Sequence, residues 1–305
     1  MLRGAELLYM GAVQLLELRD LLDKAEIEPR RTIVMRHRPS EPGFRRVMPW
    51  IAAEHEDLFM AYQHTQDLRE EKAMLEANHL ISFIGMKPGE AVFVGIYGIG
   101  EARKLTYKQY WQVLEHRKLQ QLGNTGFSID EGRDTIRQFE TPLLDHFAEW
   151  KGRMIVNWPG GERSWYRRAH KNEFRIKAIN EASAFAPPMP NWDQMIVNWS
   201  DLPMLPSSWR ASLSEWRGIY YIIDQSDGRG YIGSAYGKEN ILGRWRSYAQ
   251  SGHGGNIELR KRDPENFIFS ILQRLSPDLT AAEVIQIENS WKERLHARRF
   301  GLNKN

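Results

Sequence analysis

Two runs rich in isoleucine and tyrosine, Trp216-Arg217-Gly218-Ile219-Tyr220-Tyr221-Ile222-Ile223 and Tyr231-Ile232-Gly233-Ser234-Ala235, flank Asp227-Gly228-Arg229-Gly230. β-Branched and aromatic runs separated by a glycine-bearing turn read as a β-hairpin. Alternate residues of a strand share a face, so Tyr220 and Ile222 point one way while Ile219, Tyr221 and Ile223 point the other. A hairpin in suitable register sets Tyr220 and Tyr231 on a common face. Taken alone, such a pair reads first as cross-strand core aromatics. The residues C-terminal to the hairpin change that reading.

Residues 239–250 have a helical pattern in which Arg244 and Tyr248 stand one turn apart on the same face. A glycine-rich loop, Ser251-Gly252-His253-Gly254-Gly255-Asn256, leads to an apolar strand, Phe267-Ile268-Phe269-Ser270-Ile271-Leu272. Next comes a helix beginning near Thr280, with Val284, Ile287, Trp291 and Leu295 as its apolar stripe. Glu288 falls inside that stripe. A carboxylate there has to be paired, protonated or bound to a cation, because burying it bare costs too much. A structural ion pair with a nearby arginine satisfies that requirement as well as a metal does.

The ordered set resembles the GIY-YIG nuclease family. It comprises Gly218-Ile219-Tyr220, Tyr231-Ile232-Gly233, Arg244 before Trp245, Tyr248, Glu288 in Glu288-Asn289-Ser290-Trp291, and Asn303, and the resemblance spans residues 214–305. Gly95-Ile96-Tyr97 spells the same tripeptide, but no Tyr-Ile-Gly, helical Arg or later Glu succeeds it at the family's spacing, so it reads as a strand end. Some members of the family have His at the place of Tyr248, and others, the excision-repair nucleases among them, have Tyr. His253 lies in the loop where some homing nucleases carry a second His, and an exposed loop histidine is the other reading.

Elsewhere the chain is less explicit. Its 305 residues suggest two domains, and the lack of cysteine excludes disulfides and cysteine zinc sites and is consistent with a reducing compartment. The first 24 residues form a leucine-rich but charge-punctuated amphipathic helix, neither signal peptide nor membrane span, so a cytoplasmic location is expected. Arg31–Met35 reads as a strand, Pro49–Gln66 as a helix, Leu80–Ile84 with Ala91–Tyr97 as a hairpin, Tyr107–Gln121 as a helix, and Thr135–Trp150 as a segment beginning in a helix. The expected fold is α+β: a small GIY-YIG-type domain, with a short antiparallel sheet flanked by helices, comes after a larger N-terminal domain. That N-terminal part, residues 1–206, carries a small antiparallel sheet with room for a small barrel, and the nuclease domain occupies 207–305. Met154-Ile155-Val156-Asn157-Trp158 recurs as Met195-Ile196-Val197-Asn198-Trp199, two strands that could pair as neighbours. The proline-rich stretch 182–206 reads as a linker with one strand embedded.

Residues 210–305 hold 15 Lys+Arg against 11 Asp+Glu, leaving 27 against 28 for the rest. Within that near-neutral remainder, 151–177 is locally basic and interleaved with aromatics, so Arg163, Arg167, Arg168 and Lys171, with Arg246 of the C-terminal helix, are candidate nucleic-acid contacts. No P-loop, dinucleotide fingerprint or His-Glu-x-x-His occurs.

The resemblance implies phosphodiester hydrolysis. A single carboxylate with waters suits Mg²⁺, with Mn²⁺ as a substitute, so Glu288 is the expected metal ligand. Tyr220 is implied as base or proton relay, Tyr231 as its partner on water or phosphate, Arg244 as the bidentate phosphate ligand, and Tyr248 and Asn303 as orienting groups. A tyrosine with a pKa near 10 acts as base only if adjacent positive charge lowers that value. The expected function is a Mg²⁺-dependent DNA endonuclease whose N-terminal domain selects the target, in restriction or other defence and including modified bases. The alternatives are a regulatory protein on a retired nuclease fold, and a repair, mobile-element or RNA-directed nuclease. Cutting both strands requires a dimer or two successive nicks.

Overall fold

The computed structural model describes residues 15–129, 132–161 and 165–304. In chain order the elements are α1 (Leu18–Lys24), β1 (Thr32–His37), α2 (Pro42–Glu54), α3 (Glu56–His64), α4 (Leu68–Leu75), β2 (His79–Ile84), β3 (Glu90–Gly98) and β4 (Ala102–Thr106). They continue with α5 (Tyr107–Gln112), α6 (Leu114–Gln121), β5 (Thr135–Phe139), β6 (Leu143–Leu144), β7 (Met154–Asn157), β8 (Tyr166–Arg168) and β9 (Ile176–Ile179). The last are β10 (Ile196–Asn198), α7 (Ser207–Glu215), β11 (Arg217–Asp224), β12 (Gly230–Ala235), α8 (Asn240–Ser251), β13 (Phe267–Leu275) and α9 (Ala281–Arg294). Two compact units result. One contains the described residues up to Arg38, His64–Lys104 and Arg137–Ala184, and the other Pro39–Gln63, Leu105–Ile136 and the described residues from Phe185 on.

The first unit is built on a seven-stranded sheet of order β8-β1-β2-β3-β7-β9, with β6 also on β3. β1 and β2 run parallel, and their registers Ile33↔Leu80 and Val34↔Ile81 join two almost fully buried strands. Strands buried on both faces read as continuous apolar runs rather than alternating ones. The sheet is therefore larger than the expected small antiparallel one, mixed in direction, and open at β8 and β9 rather than closed into a barrel. The β2–β3 hairpin forms as expected, and Gly95-Ile96-Tyr97 lies in its second strand with Ile96 and Tyr97 buried.

Several local expectations are corrected. Thr135–Trp150 opens as strand β5, not as a helix: Ile136 and Phe139 are the buried positions, and the β-branched and aromatic side chains suit a strand. The helix expected at Pro49–Gln66 starts earlier, with Pro42 in the first turn, and breaks at His55. That expected at Tyr107–Gln121 breaks at extended Val113. Of the helix expected over residues 1–24, Leu18–Lys24 forms, Leu15, Leu16 and Glu17 are not helical, with Glu17 bridging to Arg175 instead, and Leu7 and Leu8 lie outside the described residues.

The second unit holds a four-stranded antiparallel sheet of order β10-β13-β11-β12. The two copies of Met-Ile-Val-Asn-Trp do not pair. The first forms β7 in the large sheet and the second forms β10, the edge strand on β13. The proline-rich segment is packed rather than free, since Phe185, Met195, Val197, Leu202 and Leu205 are all buried. α9 covers one face of the sheet, placing Val284, Ile287 and Trp291 against Ile219, Ile232 and Leu275. Trp245 and Tyr248 of α8 pack on Phe269, and the same tyrosine meets Tyr220 and Tyr231. Leu295, expected to complete the α9 stripe, is half-exposed at the helix C-cap.

Candidate active site

The hairpin register pairs Tyr220 with Gly233 and Ile222 with Tyr231. With a period of two, this puts Tyr220 and Tyr231 on one face of the sheet, and Ile219, Ile232 and Ser234 on the other. The register also explains the glycines. A Cβ on Gly233 would run into the Tyr220 hydroxyl and ring, and one on Gly218 would lie 2.7 Å from the Gln273 carbonyl oxygen. Gly233→Ala is therefore expected to displace the Tyr220 ring and reduce cleavage by roughly 10²-fold, as small displacements of reacting groups do. A single-turnover rate equal to that of the wild type would show that the ring tolerates the methyl group.

α8 supplies Arg244 and Tyr248 one turn apart. The Tyr220 and Tyr248 hydroxyls are 3.1 Å apart, and Arg244 Nε donates to the Tyr220 hydroxyl at 3.3 Å. The guanidinium also sits 5.7 Å from the Tyr248 ring centroid. Tyr220 and Tyr248 are fully buried. Burial, followed by the neighbouring Tyr231, pushes the Tyr220 hydroxyl up to about 12, with Arg244 pulling the other way. Tyr248 is also raised, by burial first. Tyr231 is raised by burial and by the negative charge of Glu288, opposed by hydrogen bonds to Tyr248 and Asn256 and by the charge of Arg244. All three tyrosines are thus neutral donors at neutral pH. Tyr231 feels both Arg244 and Glu288, which places the cationic and anionic parts of the site within Coulombic reach of each other.

Glu288 reaches the site around the edge of the sheet. β12 is the edge strand, and its Ser234 hydroxyl, on the face turned away from Tyr231, donates a short hydrogen bond to Glu288 Oε2. The other oxygen, Oε1, lies 2.7 Å from Lys292 Nζ, one helical turn further along α9. Lys292 is almost fully buried and Glu288 nearly so. The ion-pair reading of a carboxylate in an apolar stripe is met here, with a lysine rather than an arginine as the partner. Among the described residues no group of three or more His, Cys, Asp or Glu side chains converges. One carboxylate, with Ser234 on one oxygen and Lys292 on the other, could offer a single ligand to a hard cation that keeps most of its water shell, and fits a multi-histidine transition-metal site poorly.

Asn303 orients the site indirectly. Its Oδ1 accepts from Ile232 N and its Nδ2 donates to Ile232 O, both at 2.8 Å, and Leu302 N donates to Gly230 O at 2.8 Å. The end of the chain thus satisfies the open edge of β12 and fixes the strand that carries Tyr231 and Ser234. Removing the buried amide strands one donor and one acceptor, so Asn303→Ala should cost roughly 2–4 kcal/mol. Denaturant unfolding checks this, and a loss under ~0.5 kcal/mol would mean that water replaces the amide. His253 Nδ1 accepts from Gly255 N at 2.9 Å within its own loop.

The N-terminal basic candidates lie in the first unit and are mostly engaged. Arg167 donates to the carbonyls of Pro159 and Gly161, and Arg168 pairs with Glu76. Lys171 is exposed, while Arg163 lies outside the described residues. Arg246 on α8 pairs with Glu239 at 3.2 Å. The sequence reading missed Ser234, Lys292 and Asn256 as members of the site. The four-residue spacing from Glu288 to Lys292 on one helix was a usable signal for the lysine. Nothing local announced Ser234, whose role depends on which helix covers its face.

Residues 217–303 match the family described as the GIY-YIG catalytic domain. No curated protein matches the chain. Among solved structures, a mutant catalytic domain of the intron endonuclease I-TevI is 24% identical, covering 30% of this chain and 94% of that one at a TM-score of 0.25. The catalytic domain of homing endonuclease I-TevI is 25% identical, covering 28% and 96% at a TM-score of 0.24.

Proposed function

We propose that this protein, a nuclease whose residues 217–303 form a GIY-YIG catalytic domain, is a Mg²⁺-dependent DNA endonuclease in which the N-terminal part selects the target. The observation that supports it best is the completeness of the site. Tyr220, Tyr248 and Arg244 form one hydrogen-bonded cluster, Tyr231 feels the charges of both Arg244 and Glu288, and Asn303 holds β12, the strand that carries Tyr231. A retired copy on a regulatory protein has no reason to keep the whole ordered set, the carboxylate included.

Glu288 would hold the cation, with the Ser234 hydroxyl fixing its carboxylate. A bound Mg²⁺ supplies charge stabilisation for the phosphate and the departing oxygen. Arg244, with one guanidinium edge on Tyr220, presents its remaining N–H groups to a phosphate oxygen in a fixed plane that lysine could not reproduce. Tyr220 holds a proton at its hydroxyl, shared with Tyr248 and Arg244. Once a further positive charge lowers its pKa from about 12 and that proton has left to solvent, the Tyr220 oxygen can accept a proton from an attacking water and return to the neutral hydroxyl. Tyr231 would orient the same water or the phosphate.

Defence against foreign DNA, including DNA with modified bases, is the biological setting we favour. The described residues include no helix long and apolar enough to cross a membrane. The test is cleavage of supercoiled plasmid, unmodified and base-modified, with Mg²⁺, Mn²⁺ or EDTA, alongside a matched RNA. Metal-dependent nicked circles preceding linear product are expected, since one site cuts one strand. Cleavage confined to RNA, or no cleavage of any substrate, overturns the reading.

A further inference from the structure

From Lys292 to the chain end, five Lys+Arg residues stand against the single Glu293. This segment joins the helix that carries Glu288 to Asn303, which braces β12, so site elements hold it at both ends. It forms a fixed turn: Ala297 N donates to Lys292 O at 2.8 Å, and His296 takes a left-handed φ of 50°. Arg294 lies over the Trp291 ring at 4.2 Å, and Arg299 over the Phe300 ring at 4.9 Å. Neither has a carboxylate within ion-pair distance among the described residues. Arg298 donates to Asn289 Oδ1 at 2.7 Å and stands 3.8 Å from Glu293. Phe300 is 63% exposed, so its ring is open to a ligand beside the Arg299 guanidinium.

We propose that the turn Arg294–Phe300 is a DNA clamp beside the catalytic centre. Arg294, Arg298 and Arg299 contact backbone phosphates flanking the scissile bond, and Phe300 packs on an adjacent deoxyribose or base. Charge and distance both favour this occupant. Helical rise puts Arg294 about 9 Å along the axis from Glu288, and one DNA strand advances about 3.4 Å along the duplex axis per phosphate, so Arg294 lies about two or three nucleotides from Glu288. Planar guanidinium groups spread over aromatic rings, with an exposed ring beside them, match alternating phosphate and apolar surface. The inference rests on the reading of the site as a DNA nuclease.

The test uses the full chain in EDTA and a labelled duplex, with affinity measured against salt concentration. Arg294→Gln/Arg298→Gln/Arg299→Gln should flatten the slope of log affinity against log salt by roughly two to three units, and weaken binding roughly tenfold or more at about 0.1 M salt. Phe300→Ala should weaken binding at an unchanged slope, because no counterion is released by an apolar contact. Should the triple variant unfold, Arg294→Gln/Arg299→Gln, which breaks no ion pair, should still remove roughly two units. Wild-type slope and affinity in folded variants, while the wild type binds and nicks DNA, would overturn the clamp alone and favour an acidic protein as the partner of this surface. A wild type that neither binds nor nicks DNA overturns both readings.

Discussion

Replacing Glu288 is expected to remove metal-dependent cleavage by roughly 10³-fold, the range seen when a charge-stabilising group leaves a preorganised site. Alanine is a poor choice for showing it. Lys292 Nζ lies 2.7 Å from this carboxylate and is 5% exposed, so truncation withdraws the counter-charge of a buried ammonium, which costs roughly 3–5 kcal/mol. Lost activity could then be lost folding. Glu288→Gln keeps the volume and an acceptor for Ser234 but withdraws the same counter-charge, and Glu288→Gln/Lys292→Met removes the lysine charge with it. The double variant should fold, bind DNA in EDTA and fail to cut. Cutting by the double variant at more than about a tenth of the wild-type rate would exclude Glu288 as the metal ligand. Lys292→Met alone should tighten Mn²⁺ binding by about tenfold, because a cation competing for the same oxygens is gone. Calorimetric titration without DNA reads this directly, and weaker binding would show that the lysine instead holds the carboxylate in its binding pose.

Tyr220→Phe should lower the single-turnover rate by roughly 10²–10³-fold. It removes the oxygen that Arg244 Nε and the Tyr248 hydroxyl both reach, and it also strips the rate of its pH dependence. With the hydroxyl pushed up to about 12 by burial, the ionised fraction at pH 7 is about 10⁻⁵ and rises tenfold per pH unit. If ionised Tyr220 takes the proton, log rate climbs with unit slope from pH 7 towards the shifted pKa, and a bound cation moves the plateau to lower pH. A flat profile in the wild type would show that Tyr220 positions the water without accepting its proton. Tyr97→Phe supplies the control, since Tyr97 lies in β3 of the other sheet and should leave the chemical step unchanged.

The hairpin, the α8 spacing and the Thr280-capped helix were legible because local rules fix them. A glycine turn between two Ile/Tyr runs defines the strands, and Thr280 with Glu283 forms a reciprocal capping box. The identity of the chemical groups came from the ordered motif as well. The first unit was harder to read. Its central strands are buried on both faces and lose the alternation that separates strand from helix. Thr135–Phe139 reads as helix for another reason: its buried positions, Ile136 and Phe139, stand three apart, a helical spacing.

Sequence by itself determined which side chains the catalytic domain carries and which pairs share a helix or strand face, because backbone periodicity is a local property. Only the tertiary structure decided that Glu288 comes from behind the edge strand to meet Ser234, and that Lys292 shares its carboxylate. Tertiary packing also set Asn303 to pair with the backbone of β12 rather than touch the reacting groups. It drew the second Met-Ile-Val-Asn-Trp into the nuclease sheet, although the first builds the other. Each of these depends on which face of a strand a distant helix covers and which edge is left to be satisfied. Those are settled by burying apolar area and pairing backbone groups across the whole unit, and no window of sequence contains both partners.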